Sequence, residues 1–240
     1  MTAMLKKLRH RLPAGAGCAN ELRKDQSGLA MVEFAISLPI VLGIGMLGTE
    51  TANYVVTHMK ISQVAMQVAD SASRVGEQNV LQARQVFEDD INDVFIGAEK
   101  LGGRFDLMGR GRIILSSLQE YDPDPDNADE DESNQFIAWQ RCRGAKNFTS
   151  SYGVEGDGST DDTFPGMGET GSELTAARGT AVMFVEISYT YESLTPFDFL
   201  DGREINYTAA FNVRDNRDLT GLYNSNPPEP VADCSTFSAT

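Results

Sequence analysis

From Leu29 to Gly48 the chain is apolar for 20 residues, interrupted by one charged position, Glu33. Coiled as a helix at about 1.5 Å per residue, the run reaches about 30 Å, the thickness of a bilayer's hydrocarbon layer. The pattern predicts a membrane-spanning helix. Its core is longer than the roughly 7–15 apolar residues of a secretory signal peptide, and no A-x-A site follows it. Pro39 removes one backbone hydrogen bond and predicts a bend. Beyond the run, Ala52, Val55, Val56, Met59, Gln63, Met66, Ala69 and Ser73 recur at steps of three and four. This weakly apolar stripe extends the helix outside the bilayer, with Gly76 as its stop.

A second helix follows. Val80, Leu81, Phe87, Ile91, Val94, Phe95, Ala98 and Leu101 share one face, and Gly102-Gly103 ends it. Glu88, Asp89, Asp90 and Asp93 make the other face, which reads as solvated.

The period then changes to two. In residues 181–191, Ala181, Met183, Val185, Ile187, Tyr189 and Tyr191 alternate with Val182, Phe184, Glu186, Ser188 and Thr190. In residues 205–214, Ile205, Tyr207, Ala209, Phe211 and Val213 alternate with Asn206, Thr208, Ala210, Asn212 and Arg214. Both runs predict half-buried antiparallel strands. Residues 112–121 and 135–142 are shorter, mixed strand candidates. The fold class is α+β, a long membrane helix continuing into a domain whose second helix covers an antiparallel sheet. Residues 122–133 and 152–173, rich in Asp, Gly, Ser and Thr, read as exposed loops or local disorder. The tail from Asn224 carries Pro227, Pro228 and Pro230 and reads as extended, unless Cys234 ties it back. The predicted organisation is a basic leader at 1–28, a membrane helix at 29–48, a juxtamembrane helix at 49–76, an α+β domain at 77–223 and a tail at 224–240.

Charge orients this layout. Lys6, Lys7, Arg9, Arg11, Arg23 and Lys24 outweigh Glu21 and Asp25, so residues 1–28 carry +4 and the remainder −19 of the net −15. Basic residues flanking a span stay in the cytoplasm, which places the C-terminal side outside. So acidic an exterior has no basic stripe for phosphates, and no nucleic acid partner is expected.

Little in the sequence suggests catalysis. His10 and His58 are the two histidines, too few for a His-based triad or a His-rich zinc site. No G-x-S-x-G, P-loop or C-x-x-C occurs, so no enzyme, cofactor or small-molecule substrate is expected. Gly43-Ile-Gly45-Met-Leu-Gly48 matches G-x-G-x-x-G formally, but no strand precedes it and it lies within the apolar run, so it is not a nucleotide loop. Asp122, Asp124 and Asp126 begin like a calcium loop. Asn127 stands where that loop needs glycine and Ser133 where it needs a bidentate Glu, which favours a solvated acidic loop and no metal. Cys18 lies in the leader. Cys142 and Cys234 remain on the oxidising side, where a disulfide is the favoured reading and two free thiols the alternative.

The polar exception inside the apolar run sits in a recognisable string. Gly28-Leu-Ala-Met-Val-Glu33-Phe34 resembles the class III signal of type IV prepilins and pseudopilins. There a membrane peptidase cuts after a Gly on the cytoplasmic side, and a Glu lies at mature position five. The extension Glu33-Phe34-Ala35-Ile36-Ser37-Leu38-Pro39 is similar to the TadE-like family, minor pseudopilins of the tight-adherence (Flp/Tad) pilus. The specific likeness covers residues 27–39, and Leu29 stands where many type IV pilins have Phe. The resemblance implies cleavage between Gly28 and Leu29, and a structural role in pilus assembly through membrane-helix docking at Glu33, Phe34 and Pro39. It implies a single-pass protein of the bacterial inner membrane with a periplasmic domain. The partners it implies are the prepilin peptidase, the major pilin, sister pseudopilins and pilus platform proteins, with cell adhesion as the consequence. A signal-anchored periplasmic sensor or binding protein, and a type II secretion pseudopilin, remain alternatives.

Overall fold

Helix α1, Ser27–Ala72, is one uninterrupted helix of 46 residues that contains Pro39. A computed structural model of the chain describes residues 27–76, 83–121, 134–160, 163–196 and 199–239. It divides into two units, Met1–Thr49 and Glu50–Thr240. In the first unit every side chain from residue 28 to residue 49 is exposed.

The second unit holds the rest of α1, then α2 (Glu88–Gly102), the short α3 (Leu107–Arg110) and four strands. These are β1 (Gly111–Tyr121), β2 (Asn134–Arg143), β3 (Ala181–Thr190) and β4 (Glu204–Asn212). All neighbours are antiparallel, in the order β2-β1-β3-β4. The long membrane-type helix and the α+β domain stand as the sequence predicts.

The faces of α1 need correction. The stripe that packs on the domain is Ile61, Val64, Ala65, Val68, Ala69 and Ala72. Of the predicted stripe, Ala69 and Ser73 are buried, whereas Val55, Val56, Met59 and Met66 are exposed. At 3.6 residues per turn, Met59 and Met66 lie about half a turn from Ile61, Val64 and Val68. The helix therefore carries two apolar stripes on opposite sides. The inner one consists of alanines and β-branched residues that share one apolar core with the sheet. After Ala72 the chain turns at Gly76, whose φ is +120°. A Cβ there would lie 2.7 Å from the Gln85 carbonyl oxygen, so glycine is needed both for its backbone angle and for its lack of bulk. Arg217 caps this end of α1, donating to the carbonyls of Ala72 and Val75, the latter at 2.8 Å. Its two terminal nitrogens are thus partnered by carbonyls at the negative end of the helix dipole, while the buried Nε has no hydrogen-bond partner.

α2 starts later than its apolar pattern suggests. Phe87 is extended, with φ −109° and ψ 160°, and Glu88 N–H donates to the Tyr223 carbonyl at 2.9 Å. Val80 and Leu81 lie outside the described residues. The acidic face is not wholly solvated either. Glu88 is buried and receives Arg141 of β2 through both carboxylate oxygens, at 2.6–3.1 Å. Ile91, Val94, Phe95 and Ala98 point into the core with Ile113, Leu115, Val185 and Ile187 of the sheet.

β3 is buried on both faces, not one. Its second face is covered by the polar stretch that reads as exposed loop. Tyr152, Phe164, Met167 and Ala176 pack with Leu118, Ile137, Val182 and Phe184 in a separate apolar cluster. Tyr152 meets Phe184 edge-on, ring centroids 5.4 Å apart. Gly158, with φ +82°, lies so close to the Gln135 carbonyl that no Cβ would fit. β2 contains the extra residue that explains its mixed pattern. Leu118 pairs with Ile137 and Ser117 with Trp139, so Ala138 is unmatched. This bulge turns Ile137 to the outer cluster and Trp139 to the helix side.

Under the covering stretch lies a buried carboxylate, Glu186, which accepts hydrogen bonds from Ser151 N–H at 2.9 Å and from the Ser150 hydroxyl. Desolvation nevertheless holds its pKa above the ordinary carboxylate value, the two hydrogen bonds opposing it. A carboxyl raised on folding contributes stability that is complete below its unfolded value, about 4.3, and is lost as pH climbs through its folded value. Glu186→Gln removes the charge, keeps an oxygen that accepts from Ser151 N–H and turns an Nε2–H donor to the Ser150 hydroxyl oxygen, and is therefore expected to raise Tm at pH 7.5 and change it little at pH 4. Melting curves at the two pH values check this, and a lower Tm at pH 7.5 would contradict it.

The tail is docked rather than free. Cys234 is joined to Cys142 of β2, 92 residues away, with Cα atoms 4.8 Å apart. Cys142 N–H donates to the Ala232 carbonyl and Gly144 N–H to that of Ser238. Arg112, buried in β1, reaches the Cys234 and Thr236 carbonyls at 2.6 and 2.9 Å, with its guanidinium 4.1 Å from the Phe237 ring centre.

Candidate functional site

The helical run from Leu29 to Gly48 contains no charged residue besides Glu33 and presents large apolar side chains all round, among them Leu29, Val32, Phe34, Ile36, Ile40 and Ile44. A helix apolar on every side is stable when lipid or other apolar helices surround it. It is long and apolar enough to cross a membrane once. The residues the sequence singles out fall on it in order. Gly28 and Leu29 lie in its first turn, Glu33 and Phe34 about one turn later, and Pro39 a further turn and a half along. Glu33 is exposed, as are Leu29 and Phe34.

Within the second unit α1 presents its other uncovered face. Val55, Val56, Met59 and Met66 are between 43% and 58% exposed, a stripe opposite the one that holds the domain. What periodicity misses is Glu50. This glutamate is buried and accepts hydrogen bonds from the Tyr191 hydroxyl at 2.7 Å and from the backbone N–H groups of Leu194 and Thr195 at 3.1 and 3.0 Å. Asn53, one turn on, donates to the same Tyr191 oxygen at 2.7 Å. Glu50 and Asn53 thereby fasten the β3–β4 connection to the membrane-proximal turns of α1. No sequence signal marks Glu50, since a carboxylate just beyond an apolar run ordinarily reads as solvated.

Asp122, Asp124 and Asp126 lie outside the described residues. Among the described residues no group of three His, Cys, Asp or Glu side chains is arranged to hold a metal ion. The arrangement is an exposed apolar helix that carries one carboxylate, Glu33.

Residues 28–70 match the model of the family described as TadE-like protein. The match begins at the glycine of the prepilin-like string and ends within two residues of the end of α1. No curated protein and no solved structure matches the chain.

Proposed function

We propose that this chain is a minor pseudopilin that serves the assembly of a Flp/Tad-type pilus, acting through α1 rather than through catalysis. The observation that carries the reading is the coincidence of the TadE-like match at 28–70 with a helix exposed on every side from residue 28 to residue 49 and on one face beyond. In this reading the basic leader stays in the cytoplasm and a prepilin peptidase cuts between Gly28 and Leu29. The helix is held in the bacterial inner membrane, and the second unit lies in the periplasm. α1 then packs against the helices of the major pilin and sister pseudopilins on the platform proteins. The 29–48 run supplies the contacts in lipid, and the Val55, Val56, Met59 and Met66 stripe continues them outside. The docked tail and the Glu50 contacts keep the domain compact on the opposite side of the helix.

Intact-mass measurement on protein extracted from its native membrane tests this. The expected product begins at Leu29, having lost 28 residues. A full-length chain with its leader retained would instead describe a signal-anchored protein of another class.

A further inference from the structure

β4 is an outer strand of the sheet, and its hydrogen-bonding phase is fixed at both ends. Tyr191 N–H donates to the Arg203 carbonyl and Val213 N–H to that of Ala181, both at 2.8 Å. In the unbroken register between them, Ile205, Tyr207, Ala209 and Phe211 turn their backbone groups to β3. Glu204, Asn206, Thr208, Ala210 and Asn212 turn theirs away from the sheet. Among the described residues none of these outward N–H and carbonyl groups has a partner.

The opposite edge is covered. Along β2, Ile137 bonds to Asp157 and Gly156 and Gln140 N–H to the Glu155 carboxylate, while Cys142 and Gly144 N–H meet the disulfide-tethered tail. Proteins ordinarily guard an open edge with proline, lysine, a bulge or such a cover. β4 spans 9 residues, keeps its register throughout, and contains neither proline nor a cation.

Its open edge lies on the same side as the exposed stripe of α1. Met59, Met66 and Ser73 follow one another at seven-residue steps, which drift only about 20° each around a helix. Ser73 shows where this line leads. Together with Asp70 and Arg74 it borders a cleft of about 360 Å³ whose far wall is Phe211, Arg214 and Asp215, at the end of β4. Beside the edge, Tyr207, Ala209 and Phe211 are half-buried on the helix side, while Asn206, Thr208 and Asn212 are exposed on the other.

We propose that the β4 edge is a strand-acceptor site, which takes one extended segment of the pilus subunit that packs on the α1 stripe. This deepens the pseudopilin reading and rests on it. An extended backbone is what matches a row of N–H and carbonyl groups repeating every second residue. The fitting segment alternates apolar side chains toward Tyr207, Ala209 and Phe211 with polar ones toward Asn206, Thr208 and Asn212. A second copy's β4 is excluded by direction. Tyr54 packs on Tyr191, beside the start of β4, and Ser73 lies by its end, so α1 and β4 run the same way. Two β4 edges sharing a two-fold axis pair antiparallel and set their α1 helices in opposite directions. Copies anchored in one membrane by the same end of α1 do not meet in that way.

Hydrogen exchange at single amides tests this, on full-length protein in membranes of the pilus-forming strain and of the same strain lacking the other pilus subunits. Without those subunits the amides of Asn206, Thr208 and Ala210 are expected to exchange freely, while those of Ile205, Tyr207, Ala209 and Phe211 stay protected. With them, exchange at Asn206, Thr208 and Ala210 is expected to slow by about tenfold or more. Thr208→Pro removes an N–H that β3 does not use, so it is expected to keep Tm and lose that slowing. Should the proline lower Tm, Asn206→Lys/Asn212→Lys takes its place, guarding the edge with two cations. No added slowing in the presence of the other subunits overturns the strand site, and a chain beginning at Leu29 in that sample leaves the pseudopilin reading standing. A retained leader overturns that reading and the subunit as occupant with it. Equal slowing in the strain lacking the other subunits assigns the edge to a second copy and overturns the proposal. Slowing that survives in these variants overturns strand pairing.

Discussion

Glu33→Leu as the sole copy is expected to leave the protein in the membrane at normal abundance and to reduce surface pili by about tenfold or more, the factor that a loss of 1.4 kcal/mol per subunit contact produces. The substitution removes the one charge from the apolar run, so insertion becomes easier, by as much as about 2.5–3.5 kcal/mol were the residue at mid-bilayer and less near the end. Any defect must then arise after insertion. Cleavage behind Gly28 would create a positive α-amino group on Leu29, about one helical turn from Glu33. In low dielectric an unpaired carboxylate is strongly penalised, whereas one facing an ammonium is stabilised. Helices sliding past one another would therefore settle at the offset that pairs these charges, in the same chain or with a neighbour. The exposed, unobstructed position of Glu33 on α1 permits either pairing. Co-purification of pilus partners and pilus counts by electron microscopy read the effect. Wild-type values for both, at normal protein level, would remove Glu33 from the docking role.

Arg141→Leu is expected to cost the second unit about 3–5 kcal/mol, the penalty for leaving a buried charge without its partner. Glu88 has 5% of its side chain exposed and Arg141 has 13%, and the guanidinium also reaches Glu155 at 3.0 Å. Burial alone would lower the Arg141 pKa, but the hydrogen bonds and charge of Glu88, then of Glu155, hold it above its usual value. The leucine variant deletes that support and strands Glu88 between the start of α2 and β2. For a unit of this size the loss corresponds to a fall in Tm of roughly 6–20 °C. Glu88→Leu/Arg141→Leu should recover most of it, because no unpaired charge remains. Thermal unfolding of the two variants decides the matter. A double variant no more stable than the single one would show that packing around Arg141, not the charge of Glu88, sets the cost.

The most local features are legible in the residues themselves. A 20-residue apolar run with one carboxylate dictates a helix that needs lipid or protein around it, wherever the rest of the chain goes. Period-two alternation likewise predicts β3 and β4, because the pleat sends successive side chains to opposite faces regardless of context. The basic leader likewise predicts an orientation for the span, because Lys and Arg flanking a span favour the cytoplasmic side. Features that depend on what a residue meets are not legible in this way. Glu88 and Glu50 look like solvated acids until Arg141 and the Leu194–Thr195 backbone are brought to them from distant parts of the chain. The Gly- and Ser-rich stretch looks too polar to pack, yet Tyr152, Phe164 and Met167 suffice to roof β3 once the sheet presents Val182 and Phe184. The bulge at Ala138 hides the period of β2, and pairing with β1 restores it. α1 shows the division most clearly. Its sequence shows one weak apolar stripe beyond the run, but only the tertiary structure decides that Ile61, Val64, Ala65, Val68, Ala69 and Ala72 are inside while Val55, Val56, Met59 and Met66 stay exposed, because valines stand on both sides and burial follows from what the rest of the chain covers.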